Sequence, residues 1–169
     1  MSHGRVLALT ALTTVAVLLL DQVAKALVRA GLEGGEGRDV LGAALRLVHV
    51  ENDGVAFGRL AGSPALVALV VGVALVALVL YVGTHLEVPG IWLPTGMLLG
   101  GAIGNVLDRL ARGSVTDFIK PTHWPAFNLA DVSITLGVVV LLIVVERDVR
   151  RRERADAGTE AADEAPGPA

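Results

Sequence analysis

Cysteine is absent from this sequence, which excludes disulfides, thiolate nucleophiles and cysteine-held metals and leaves the redox compartment unread. Charge is scarce as well: 18% of the 169 residues are charged, against about a quarter in soluble chains. No charged side chain stands between Ser63 and Gly83, and none between Ile91 and Leu107. A soluble domain of this length buries about 70% of the surface of its unfolded chain and needs polar residues to wet the rest. Here 53% of the residues are hydrophobic and the mean hydropathy is +0.65. An ordinary soluble globule, a disordered chain and a coiled coil are thereby excluded. Fourteen basic against seventeen acidic residues leave a net charge of −3, which argues against a nucleic-acid binder. The composition points to lipid.

A bilayer core of about 30 Å takes some 20 apolar residues in a helix. Four segments approach that length, at about residues 6–28, 64–83, 91–110 and 127–145. Ser63 is placed to cap the second, with Pro64 at its first helical position. The first is too long for the apolar core of a cleaved signal peptide and continues apolar around Asp21 and Lys25. The alternation expected of a transmembrane barrel is missing. The expected architecture is therefore an all-α integral membrane bundle with four transmembrane helices, a membrane domain over 1–147 and a disordered cytoplasmic tail over 148–169. The tail carries Arg147, Arg150, Arg151, Arg152 and Arg154. That density orients both termini toward the cytoplasm.

Two loops then lie on the outer side, 31–62 and 111–126. In the first, residues 44–50 are apolar and β-branched around Arg46 and His49, and Asn52-Asp53-Gly54 is a turn signal before Val55-Ala56-Phe57. A short β-hairpin or small sheet at the membrane surface is expected there. The second loop is read as a connection.

Each charge inside a span costs roughly 2.5–3.5 kcal/mol on insertion scales, so each needs a reason. Asp21 and Lys25 are one turn apart and can pair, with Lys25 snorkelling to the interface as the simplest reading. Gly96, Gly100 and Gly104 form a small-residue stripe that lets a neighbouring helix approach. Asn105, Asp108 and Arg109 end the same helix, and Arg109 can neutralise Asp108 or hold a carbonyl. Taken singly, Asp131 reads as a helix cap and Asp117 as a solvated loop acid. Topology changes these odds: Asp21, Lys25, Asn52, Asn105, Asp108, Arg109, Asp117, Asn128 and Asp131 share one membrane depth.

No thiol, no serine with a plausible base and no His-Glu-x-x-His spacing accompanies them. Carboxylates remain. Two of them sharing one proton can activate water, one as base and the other as proton donor. Asp21 and Asp108 have sequence-local cations in Lys25 and Arg109. Asp117 and Asp131 have no adjacent one and are the expected catalytic pair. A proton- or ion-coupled small membrane transporter is the alternative, since intramembrane acids also mark ion paths. A non-enzymatic scaffold that uses the glycine stripe is a third reading.

Five blocks, in order, carry a resemblance: Asp21-Gln22-Val-Ala-Lys25; Asn52-Asp-Gly54-Val-Ala56-Phe57-Gly58; Gly100-Gly101-Ala102-Ile-Gly104-Asn105-Val-Leu-Asp108-Arg109; Gly113-Ser-Val115-Thr-Asp117-Phe118; and Phe127-Asn128-Leu-Ala130-Asp131. Over residues 6–145 the chain resembles the bacterial lipoprotein signal peptidases (signal peptidase II). The resemblance implies a membrane aspartic endopeptidase that removes signal peptides from prolipoproteins, cutting before a diacylglyceryl-modified cysteine. It implies Asp117 and Asp131 as the dyad. Asn52, Gly54, Asn105, Arg109 and Asn128 would line the site and meet substrate or globomycin-type inhibitors, and Asp21, Lys25 and Asp108 would support it. It further implies a β-cradle at the extracytoplasmic face of the cell membrane, no metal or organic cofactor, and a monomer in lipid.

Overall fold

The computed structural model describes residues 1–40, 42, 44–53, 73 and 76–163, with the backbone alone for 159–163. Helix α1 (His3–Gly31) starts at Ser2, whose side chain accepts from the Arg5 backbone N–H at 3.4 Å. It then follows the uninterrupted apolar run. Helix α2 (Trp92–Arg112) stops at Gly113, which takes φ 81° and returns its N–H to the Arg109 carbonyl at 2.9 Å. Helix α3 (Leu129–Asp163) is the longest element.

Two of the described helices, α1 and α3, are long and apolar enough to cross a bilayer. Their large side chains face outward: Leu12, Leu20, Leu27 and Leu142 are each about two-thirds exposed. That is the pattern expected where lipid, not protein, covers the surface. The expected second span lies mostly outside the described residues; 73 and 76–83 are helical. The tail expected to be disordered from 148 is instead helical to Asp163. Within this stretch Arg150 meets Glu146 at 2.7 Å and Arg152 meets Asp148 at 2.7 Å, four-residue pairs that support a solvated helix.

Glycine sets the helix packing. A Cβ on Gly96 would stand 2.5 Å from the Thr13 Cβ, one on Gly100 2.7 Å from the Thr14 carbonyl oxygen, and one on Gly104 2.7 Å from Asp21 Oδ2, all on α1. On the adjoining stripe a Cβ at Gly101 would stand 2.6 Å from the Ala130 carbonyl oxygen on α3. Helix α2 is thus wedged between the other two at backbone contact.

At one end of the bundle sits a three-stranded antiparallel sheet of order β1 (Gly37–Asp39), β2 (Leu45–Asn52) and β3 (Val115–Pro121). The expected small sheet is present, with a different set of partners. Strand β2 pairs with 37–39 and with the second loop, which is a strand and not a mere connection. The segment 55–57 lies outside the described residues. Phe127 hydrogen-bonds Ile119 in both directions, at 2.8 and 3.0 Å, and so ties the entry of α3 to β3. Val28, Leu32 and Phe118 are buried between sheet and helices, with Leu47, Ile119 and Leu129 packed around them. This core holds β3 beside the first turn of α3.

Candidate active site

The first turn of α3 begins with a reciprocal cap. Asn128 Oδ1 accepts from the Asp131 backbone N–H at 3.0 Å, and Asp131 Oδ2 accepts from the Asn128 N–H at 3.2 Å. The Asn128 amide is left to donate elsewhere. It gives one bond to Asp117 Oδ1 at 2.7 Å and one to Asn105 Oδ1 at 3.2 Å. One buried residue therefore bonds both carboxylates, Asp117 through its side chain and Asp131 through its backbone.

Asp117 lies on β3 opposite Val50, and only 2% of it is exposed. Asn52, two residues along β2, donates to Asp117 Oδ2 at 2.8 Å. Burial pushes the Asp117 carboxyl up to about 6, and the neighbouring Asp131 carboxylate adds to the rise. The Asn52 and Asn128 amides and the more distant Lys25 oppose it. Asp131 is only partly buried. It opens into a groove of about 330 Å³ walled by Trp124, Phe127, Val132, Thr135 and Leu136.

Beneath this pair lies a second polar layer. Lys25 is fully buried; it donates to Asn105 Oδ1 at 2.9 Å and makes ion pairs with Asp21 Oδ2 at 2.8 Å and Asp108 Oδ2 at 2.9 Å. The snorkelling expected of Lys25 is not found, because the gap at Gly104 lets Asp21 turn inward and takes the ammonium with it. An ammonium has no acceptor, so it fixes which end of the Asn105 amide faces it. The Asn105 Nδ2 must then face the other way, and it donates to Asp131 Oδ1 at 2.9 Å. Asp21 Oδ1 also accepts the Ala130 N–H of the first turn of α3, at 3.0 Å.

Arg109 does not pair with Asp108. It reaches the Asn105 carbonyl at 3.3 Å, and the cations facing Asp108 are Lys25, Arg112 at 3.3 Å and Arg29 at 3.9 Å. Residues adjacent in a helix point about 100° apart, whereas Arg112 stands four on and shares the face. Gly54 lies outside the described residues. Sequence reasoning gave no role to Gln22, which bridges Asp21, the Gly104 carbonyl and Asp108 at 3.2, 3.2 and 3.4 Å. It also passed over Arg29, which donates to Thr116 on β3 at 2.9 Å. The signal for Arg29 was its place one turn beyond Lys25 on the same face of α1. Ser114, Thr116 and His49 bond Glu51 on β2, and together they outweigh its burial and hold it below the usual carboxylate range.

Apolar helices close around two acids that share the Asn128 partner, and known proteins give the class, a membrane enzyme of the aspartic kind. A solved chain described as a bacterial membrane enzyme structure obtained by the in meso method superposes with a TM-score of 0.71 at 29% identity, covering 83% of this chain and 88% of that one. The family model for signal peptidase (SPase) II matches residues 13–146. A lipoprotein signal peptidase of Syntrophomonas wolfei is 41% identical over 138 residues, covering 82% of this chain and 93% of the relative. One from Moorella thermoacetica is 40% identical over 126 residues, 74% of this chain and 84% of its own length. The chain belongs to the signal peptidase II family, whose members are membrane aspartic peptidases.

Proposed function

We propose that Asp117 and Asp131 form the catalytic dyad of this peptidase and cleave the signal peptide from diacylglyceryl-modified prolipoproteins, just before the lipidated cysteine. The observation that carries the assignment is Asn128, a single side chain and backbone amide bonded to both acids. Two carboxylates held so close to a common partner do not both ionise comfortably, and the pair carries one proton. Burial favours Asp117 as its seat. Asp131, with hydrogen bonds from Asn105 and from the Asn128 N–H, is the ionised partner that takes a proton from water. Asp117 then donates to the scissile carbonyl, and its proton passes on to the leaving nitrogen. Asn52, Asn105, Arg109 and Asn128 line the site for substrate or a globomycin-type inhibitor, and Asp21, Lys25 and Asp108 support it.

In this reading the chain crosses the membrane four times. Besides α1 and α3, α2 has 21 residues, a length of about 31 Å, and helical residues 76–83 belong to the remaining crossing. The arginines after α3's apolar stretch face the cytoplasm, the dyad faces the opposite interface, and the enzyme works as a monomer in lipid. A substrate anchored by its diacylglyceryl group meets the dyad at that depth without leaving the bilayer. The transporter reading is not favoured, since Asp21, Asp108 and Asp117 gather at the sheet end of the bundle. The test is cleavage of a lipidated precursor by purified protein in detergent. Asp117→Asn and Asp131→Asn are each expected to lower turnover at least about 10³-fold, as loss of an acid–base group does, with the melting transition retained. Turnover near the parent rate in either variant overturns the assignment.

A further inference from the structure

About 24 Å along α3 from Asp131, at the opposite end of the bundle, a second groove of about 440 Å³ opens. One wall is a single face of α3: Val140, Ile143, Val144 and Arg147 recur at steps of three and four. The other wall is the entry to α2, with Pro89, Gly90, Trp92 and Leu93. Gly90 takes φ 87°, a turn that brings the chain against α3 without laying a side chain over Val144. Trp92 is half-buried and Ile143 is 45% exposed. The groove therefore has apolar flanks along the length of a candidate span and polar residues at its mouth.

The charges at that mouth are unequal. Asp148 is matched by Arg151 at 2.9 Å and Arg152 at 2.7 Å; Arg152 also reaches Glu87 at 3.3 Å, and Arg150 is held by Glu146. Arg147 has no ion pair among the described residues, although it lines the groove. An unmatched guanidinium at the polar end of an apolar slot, with the outer edge of Arg151 beside it, complements a phosphodiester whose acyl chain follows the slot.

We propose that this groove holds one anionic glycerophospholipid, its phosphate on Arg147 and Arg151 and an acyl chain along Val140, Ile143 and Val144. The assignment is independent of the dyad, because it uses no residue of that site. Trp92 reports on it directly. The chain has two tryptophans, and replacing Trp124 by Phe leaves Trp92 as the sole fluorophore. With the full chain in mixed micelles, brominated phosphatidylglycerol is expected to half-quench Trp92 at about a fivefold lower mole fraction than brominated phosphatidylcholine, the preference one basic residue gives. Arg147→Gln is expected to bring the ratio close to one, and Arg150→Gln, held by Glu146 and not lining the groove, to leave it unchanged. Equal quenching by the two lipids overturns the proposal. So does a preference that survives Arg147→Gln, or one that Arg150→Gln reduces as much, since either points to the general basic field. Absence of quenching by both lipids, as when a second copy of the chain fills the groove, overturns it too.

Discussion

The two ends of the bundle handle charge in opposite ways. At the sheet end Asp21, Lys25 and Asp108 are fully buried and meet at 2.8–2.9 Å. At the far end Arg150 pairs with Glu146 at a similar 2.7 Å, with both partners more than half exposed. Distance alone would rank these pairs together. Burial separates them: removing one partner of a buried pair strands the other's charge, whereas an exposed pair trades its partner for water. The inner network also has an output that the outer pairs lack, because it sets the Asn105 amide and through it Asp131.

The largest effect expected from breaking this contrast is Lys25→Met. It strips the buried Asp21 of its cation and leaves Asp108 to Arg112 and Arg29 alone, a loss of about 3–5 kcal/mol, and frees the Asn105 amide to turn. Calorimetry in detergent with a parallel cleavage assay checks this; an unchanged melting temperature would mean that water reaches Asp21 and Asp108 after all.

Next in size is a pH effect that belongs to Asp117. Its folded value of about 6 lies above the ordinary 3.8, so folding favours the protonated form. Stability from this group is fully present below about pH 4 and is lost as the pH rises through about 6, by roughly 3 kcal/mol at 1.36 kcal/mol per unit. Melting temperatures of the parent followed from pH 4 to 7 should fall by that component. The Asp117→Asn variant should lack it, and parallel curves for the two would remove burial as the cause.

Gly104→Ala comes third. Its methyl would press on Asp21 Oδ2, which Lys25 and Gln22 hold in place, at a penalty of about 1–3 kcal/mol. Chemical denaturation reads this directly, and a neutral result would show that α1 can shift away from α2. The smallest effect closes the comparison. Arg152→Ala removes an exposed contact to Glu87 and one of the two arginines on Asp148, which Arg151 still holds, and neither melting temperature nor turnover should change measurably.

Much of this arrangement was legible in the residues. The apolar run from Val6 fixes α1, and the glycine spacing of α2 marks a tight helix contact. What could not be read depends on contacts between segments distant in sequence. Lys25 reads as a snorkelling side chain until α1 and α2 are packed, and only then does its burial follow from the missing Cβ at Gly104. Strand β3 carries Asp117 and Lys120 and ends on Pro121, so its β-branched Val115, Thr116 and Ile119 made a weak signal beside β2. Of the two roles open to Arg109, the carbonyl contact is the one found, and helical geometry gives Asp108 the cation one turn on, Arg112. The α3 extension runs on past its apolar part through four-residue pairs that are individually weak, and composition alone hides them.

The cap between Asn128 and Asp131 has a consequence of its own. The turn that starts α3 is also the hinge on which both acids hang. Fraying there would release Asp131 from its backbone partner and withdraw the amide that Asp117 leans on in one motion. With the proposed dyad, helix initiation and chemical competence would rise or fall together, and hydrogen exchange at the Asp131 amide would register both.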